Sequence, residues 1–220
     1  MPKIVTHKEE IPYFGSESLL ELAPNRSFAS MIFESLSGQK PTDDQSFLFE
    51  TILNISIDHG PETPSAIEVI KNAKEGKLIT QSVAAGILQI NDYHGGAIEG
   101  CMELLYKVKN ENLDTNILVR EFLSLDKRIP GFGHRIYTKD PRSKLLFDLL
   151  KQKGMSLEYL DVAEKISESL NSAKGKELPI NIDGAISVIL CTFDWSPKLG
   201  KAVFLSARTP GLCAEYLSQI

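Results

Sequence analysis

Apolar residues recur along this chain at intervals of three and four. Ile98, Cys101, Met102, Leu105 and Val108 fall on one helical stripe, and Val162, Ile166 and Leu170 on another. Strand-like alternation is nearly absent, so the pattern predicts an all-α fold. Helix stops are expected at Gly38 before Pro41, at Gly76, at Gly154 and at Gly175, each after a polar or charged last turn. Starts are marked as well. Thr42 and Gln45 have capping-box spacing, and Thr63-Pro64 puts proline at a first helical position, where its missing N–H costs nothing. Asp183-Gly184 has the composition of a hairpin turn, but Ile182, Ile186, Ile189 and Phe193 keep helical spacing, so a helix start is expected there. No internal repeat or low-complexity linker interrupts the series.

With 220 residues, 42% of them apolar, the chain can bury one core, or one core with a smaller lobe split from it. Its 24 basic and 29 acidic residues are intermixed rather than blocked, for a net charge of -5, which argues against a nucleic-acid partner. No apolar run approaches the about 20 residues of a membrane span, and the opening MPKIVTHKEEIPYFG lacks the apolar core of a signal peptide. A soluble, cytoplasmic protein with no membrane partner is expected. Cys101, Cys191 and Cys213 are odd in number, widely spaced and set among apolar residues, so they read as small buried hydrophobes rather than a disulfide framework or a zinc site.

Three segments stand out against this background: IDHGPETPSA (57–66), DYHGGAIEG (92–100) and PGFGHRIYTKDPR (130–142). They carry three of the four histidines, each beside glycine. Glycine admits close approach and unusual backbone angles, so such a boundary can bring an imidazole and backbone N–H groups against a small ligand. His7, in the charged amino-terminal stretch, has no such setting and reads as exposed. His59, His94 and His134 lack the short spacing that specifies a metal site, and neither a G-x-S-x-G elbow nor an exposed cysteine motif supplies a nucleophile. General acid–base chemistry, by contrast, needs only histidines and a carboxylate converging on one pocket. Arg135 and Arg142 flank the third segment's histidine loop and Arg208 follows in LSARTPG; arginines grip carboxylates two hydrogen bonds at a time, so a di- or tricarboxylate ligand is expected. Arg128 reads as a solvated surface charge.

At PGFGHRIYTKDPR the sequence resembles the citrate synthase superfamily, whose members carry a G-F-G-H-R…D-P-R stretch. YHGGAIE is similar to the family's H-G-G-A-N-E segment, NIDG to its asparagine-x-aspartate segment, and SARTPG to the A-R-x-x-G near its end, all in the family's order. IDHGPETPSA and GILQINDYHGGAIEG resemble the citryl-CoA lyase module of ATP-citrate lyase more closely. The likeness runs over roughly residues 27–220.

That resemblance implies an all-α, citrate-synthase-like fold, with a large dimer-forming helical domain at 1–95 and 187–220 and a smaller CoA-binding domain at 96–186. By the same resemblance the catalytic trio falls on His94, His134 and Asp183. Substrate carboxylates are held by His59, Arg142 and Arg208, with Arg135 beside them. CoA meets the backbone of Pro130, Gly131, Phe132 and Gly133, and its phosphate the side chain of Lys139. The activity implied is cleavage of citryl-CoA to acetyl-CoA and oxaloacetate; the alternatives are the reverse condensation of a citrate synthase, the same chemistry on a 2-methylcitrate-type acid, and a non-catalytic subunit that binds CoA or citrate. No metal or cofactor is required beyond the CoA thioester, which is substrate. The expected partners are those small molecules, a second copy in a homodimer, and, if citrate is activated separately, a citrate-activating ligase. The short amino-terminal prelude is nearer to a stand-alone lyase, whereas His94 is the synthase-like residue. Glu215 stands where relatives commonly have histidine, and the chain ends at Ile220, before the arm that lends an arginine across the synthase dimer.

Overall fold

A computed structural model describes residues 1–91, 95–134 and 137–220. His94 and Arg135, two of the expected site residues, lie outside the described residues. The order begins with β1 (Val5–Lys8), β2 (Ile11–Phe14) and β3 (Glu17–Ser18), followed by α1 (Leu19–Leu22), α2 (Phe28–Ser37), α3 (Asp43–Ile55), α4 (Pro64–Lys74) and α5 (Ile79–Ile87). It continues with α6 (Ala97–Glu111), α7 (Thr115–Ser124), α8 (Pro141–Gln152), α9 (Glu158–Lys174), α10 (Ile182–Thr192) and α11 (Leu199–Leu217). The helical class is as the periodicity predicts.

The exception is the antiparallel sheet β1-β2-β3. Its first turn places Glu9 and Glu10 at positive φ, 50° and 66°. A two-residue hairpin of this kind ordinarily advertises itself by Asn-Gly or Asp-Gly, and here the turn residues carry no such mark. Lys3 ties the sheet's leading edge to α2: its N–H donates to Ser35 O at 2.8 Å, and its ammonium joins Arg26 on the buried carboxylate of Glu34. Burial works to raise the Glu34 pKa, and the two cations overcome it and hold it below the usual range.

The helix boundaries follow the expected chemistry. Thr42 and Gln45 form a reciprocal capping box on α3, Thr63 caps α4 ahead of Pro64, and Gly38 and Gly175 close α2 and α9 in the left-handed conformation. Within α6, the stripe Ile98, Cys101, Met102, Leu105 and Val108 is buried throughout. It packs on α10, whose residues Gly184–Cys191 are buried on every side, the mark of a helix passing through the core rather than lying on it. Ser187 Oγ donates to Ile98 O across this contact at 3.1 Å. Phe33, Phe49, Phe193 and Trp195 fill one end of the core, with Phe33 and Trp195 edge to face at 4.7 Å. Cys101 and Cys191 are buried and Cys213 partly so, all as free thiols. One continuous core joins residues of α2 and α3 to residues of α6–α11, and a second small cluster of Val69, Val83 and Leu212 sits between α4, α5 and α11. Among the described residues no helix is long and apolar enough to cross a membrane.

Candidate active site

Asp140, at the amino end of α8, organises the site. Its Oδ1 accepts the backbone N–H of Arg142 at 3.0 Å, the usual capping bond, and also the Nε–H of the same residue at 3.0 Å; its Oδ2 accepts from Nη2 at 2.8 Å. One fully buried carboxylate therefore caps the helix and grips one edge of the guanidinium, fixing a long side chain in one rotamer. Burial alone would raise the Asp140 pKa, yet these bonds to Arg142 and its charge hold it below the usual carboxylate range. The rest of the guanidinium is turned toward two imidazoles, with Nη1 3.2 Å from His59 Nδ1 and Nη2 3.4 Å from His134 Nε2.

His59 occupies a turn in which Asp58 Oδ2 accepts the N–H of Gly60 at 3.0 Å. Burial, reinforced by Arg142, Arg208 and His134, lowers its pKa, so at neutral pH the ring is uncharged and its Nδ1 accepts from Arg142. At His134 two contacts ask for opposite tautomers. The N–H of Tyr137 donates to Nδ1 at 3.1 Å, while Arg142 presents a second donor to Nε2 at 3.4 Å. The backbone bond is the shorter of the two and uses Nδ1 as an acceptor, so a proton on this ring is carried at Nε2; the Arg142 contact is then proximity of charge rather than a hydrogen bond. The Tyr137 ring lies 4.6 Å from the imidazole, centroid to centroid.

Asp183 comes from the first turn of α10, which a short backbone ladder ties to the 131–133 loop that leads into His134. Gly133 N donates to Pro179 O at 2.8 Å and Asn181 N to Gly131 O at 3.0 Å, with Phe132 bridged to Ile180. Gly131 permits this approach. Its φ is +87°, and a Cβ there would stand 2.5 Å from Cys101 Sγ and 3.0 Å from Gly184 Cα. Burial raises the Asp183 carboxyl to about 6, against the opposing pull of Arg142 and then Arg208. A carboxyl poised near neutrality can give or take a proton under ordinary conditions.

Arg208 lies in the middle of α11 and is 4% exposed. Its Nε donates to Ser56 O at 3.0 Å and its guanidinium stacks 4.8 Å from the Phe204 ring, while the buried Nη1 has no hydrogen-bond partner among the described residues. The close seat of α11 on residues 56–58 depends on Gly211, where a Cβ would fall 2.0 Å from Ile57 O. A buried guanidinium nitrogen without an acceptor, beside a second arginine and a neutral histidine, is a place for an anionic oxygen.

The expected residues His59, His134, Arg142, Asp183 and Arg208 thus come from four separate segments into one electrostatically coupled cluster. Lys139 is exposed, three residues from Arg142. Gly131 and Phe132 are buried, and the Gly131 carbonyl and Gly133 N–H are taken up by the ladder to 179–181, so the backbone surface that this loop offers a ligand is narrower than the motif suggests. Asp58, Asp140 and Asn181 carry site roles that the sequence reading did not assign. The Asp-Pro pair with arginine two residues after the aspartate was the available signal for Asp140; the others become visible only with their partners in place.

This helical scaffold is that of the citrate synthase family, and the chain belongs to it: the profile of the citrate synthase C-terminal domain matches residues 1–220. More particularly, the chain is similar to the citryl-CoA lyase of Hydrogenobacter thermophilus, with 36% identity, a TM-score of 0.92, and coverage of 98% of this chain and 85% of that one. A probable ATP-citrate synthase subunit 1 of Neurospora crassa is 31% identical over 189 residues, 77% of this chain and 28% of that protein, so the chain spans under a third of that relative. The fold alone is shared with citrate synthase of Thermotoga maritima, at 22% identity and a TM-score of 0.72 over 88% of this chain and 54% of that one.

Proposed function

We propose that this chain is a citryl-CoA lyase, cleaving the thioester to acetyl-CoA and oxaloacetate. The observation that carries the reading is the cluster itself: a carboxyl raised to about 6 at Asp183 under two arginines, one buried with an unpartnered nitrogen and one clamped by Asp140. Its counterpart among known proteins is the likeness to the Hydrogenobacter citryl-CoA lyase. In this reading Arg142, Arg208, His59 and Arg135 share the carboxylates of the citryl group. The tertiary hydroxyl gives its proton to His134, the carbon–carbon bond breaks, and the electron pair passes to the thioester as an enol whose oxygen His94 stabilises. Asp183 returns a proton to the methylene carbon, completing acetyl-CoA. Stabilisation is aimed at charge that appears only as the bond breaks.

A second reading, condensation of acetyl-CoA with oxaloacetate, is favoured by one contact. With Nδ1 accepting from Tyr137, the ring proton of His134 sits at Nε2, where it makes a donor that suits a carbonyl oxygen. Receiving a hydroxyl proton at Nε2 instead requires the ring proton on Nδ1 and release of the Tyr137 bond.

The lyase reading also has CoA along Pro130–Gly133 with its phosphate toward Lys139, a small lobe at 96–186 closing on the large one, a homodimer, and a citrate-activating ligase upstream. Support for the small molecules comes from a solved ATP citrate lyase of Methanothrix soehngenii in complex with citrate and coenzyme A, which shares the fold at 24% identity and a TM-score of 0.87 over 100% of this chain and 38% of that one. The test is a product analysis by mass spectrometry on purified protein, with citryl-CoA in one reaction and oxaloacetate plus acetyl-CoA in another. Acetyl-CoA and oxaloacetate from the first support the lyase; citrate and free CoA from the second support the synthase; silence in both refutes each.

A further inference from the structure

Two of the proposed catalytic side chains sit on elements far apart in the sequence, His134 at the end of a glycine loop and Asp183 in the first turn of α10. The backbone ladder between 131–133 and 179–181 joins their supports, and one side chain adds a further tie to both. Asn181 Oδ1 accepts the N–H of Gly184 at 3.1 Å, capping α10 across the turn that holds Asp183. Its Nδ2 donates to the carbonyl of Gly133 at 3.0 Å, the residue bonded to His134. Its own backbone N–H donates to Gly131 O at 3.0 Å, which orients the carboxamide. A capping residue needs only an acceptor, and serine or aspartate would serve. The second bond is beyond what capping requires, and only a carboxamide can accept at one end and donate at the other in this span.

We infer that Asn181 is a positioning residue: its carboxamide, added to the backbone ladder between 131–133 and 179–181, fixes how the His134 ring and the Asp183 carboxyl are placed relative to one another, and so governs the rate of the bond-breaking step without touching the substrate. This rests on the lyase reading. The carboxylate contacts come from His59, Arg142 and Arg208, whose hydrogen bonds run to other residues than Asn181, so loss of the tie leaves substrate affinity in place while the two proton-handling groups drift apart. A displacement of about 1 Å in such a constellation costs on the order of a hundredfold in rate.

The experiment compares wild type, Asn181→Ser and Asn181→Asp for cleavage of citryl-CoA, and repeats Asn181→Ser in a His134→Ala background. Both replacements keep a cap acceptor for Gly184 N–H and remove the donor to Gly133 O. The expected result is a fall in kcat of about 10- to 100-fold with KM within about threefold, a melting temperature close to wild type, and less than about a twofold further loss in the His134→Ala background. An unchanged kcat overturns the inference, as does an equal fall in both backgrounds or a fall in kcat matched by loss of fold. If wild type does not cleave citryl-CoA, or His134→Ala cleaves it as fast, the lyase reading fails first, and that failure is visible without any Asn181 variant.

Discussion

The ionisation of Asp183 offers a test that needs no substrate. Burial lifts this carboxyl from an ordinary 3.8 to about 6 in the folded protein. Between those values the folded chain holds a proton that the unfolded chain has released. The stabilisation is complete below about pH 4 and is lost as pH rises through about 6, after which folding must accommodate a buried anion. A gap of that size corresponds to about 3 kcal/mol at neutral pH. An asparagine in this position would have nearly the same shape and cannot ionise, so Asp183→Asn should match wild type at about pH 4 and exceed it at about pH 7.5 by about 2–3 kcal/mol. In a chain of this size that is roughly 5–10 °C in melting temperature. Urea denaturation at the two pH values, followed by circular dichroism, measures the difference directly. A variant no more stable than wild type at the higher pH, or one whose advantage does not change with pH, would refute the assignment of Asp183 as a carboxyl held at a cost to stability for its chemistry.

Three further outcomes follow from the same geometry. On the proposed mechanism cleavage needs Asp183 protonated, so kcat/KM for citryl-CoA should decline as pH rises through about 6; a profile flat across that range would contradict the role. Arg208→Leu removes a buried nitrogen that lacks a partner along with one bond to Ser56 O, so the unliganded melting temperature should move little, while stabilisation by citrate should demand about 10- to 100-fold more ligand in a thermal-shift titration. Gly131→Ala combines a φ of +87° with a Cβ 2.5 Å from Cys101 Sγ, whereas Gly154→Ala has a φ of +62° and open space around it; denaturation should find the first costlier by about 2 kcal/mol or more.

Most of the helical architecture was legible because it rests on local chemistry. The stripes of α6 and α9, the Thr42–Gln45 box and the Thr63-Pro64 start each need only neighbours within a few positions, and the sequence displays them all. The amino-terminal hairpin was not legible, since Glu9 and Glu10 adopt positive φ without a residue type that favours it. At the site, histidines and arginines beside glycine marked the segments. Sequence could not reveal that Asp140 holds both its own helix and the Arg142 guanidinium, nor that Asn181 spans from Gly133 to Gly184, because one residue type serves capping and bridging alike and only the fold supplies the second partner. Nor does the PGFG motif disclose that much of its backbone is occupied by residues 179–181.

On the proposed function, His134 and Asp183 act together on one carbon–carbon bond within this cluster. The most direct test is the single-turnover rate of citryl-CoA cleavage, read as acetyl-CoA formed, for wild type, His134→Ala and Asp183→Ala. Cleavage by wild type with losses of at least about 100-fold in each folded variant is the predicted result. Cleavage that survives either substitution would contradict it.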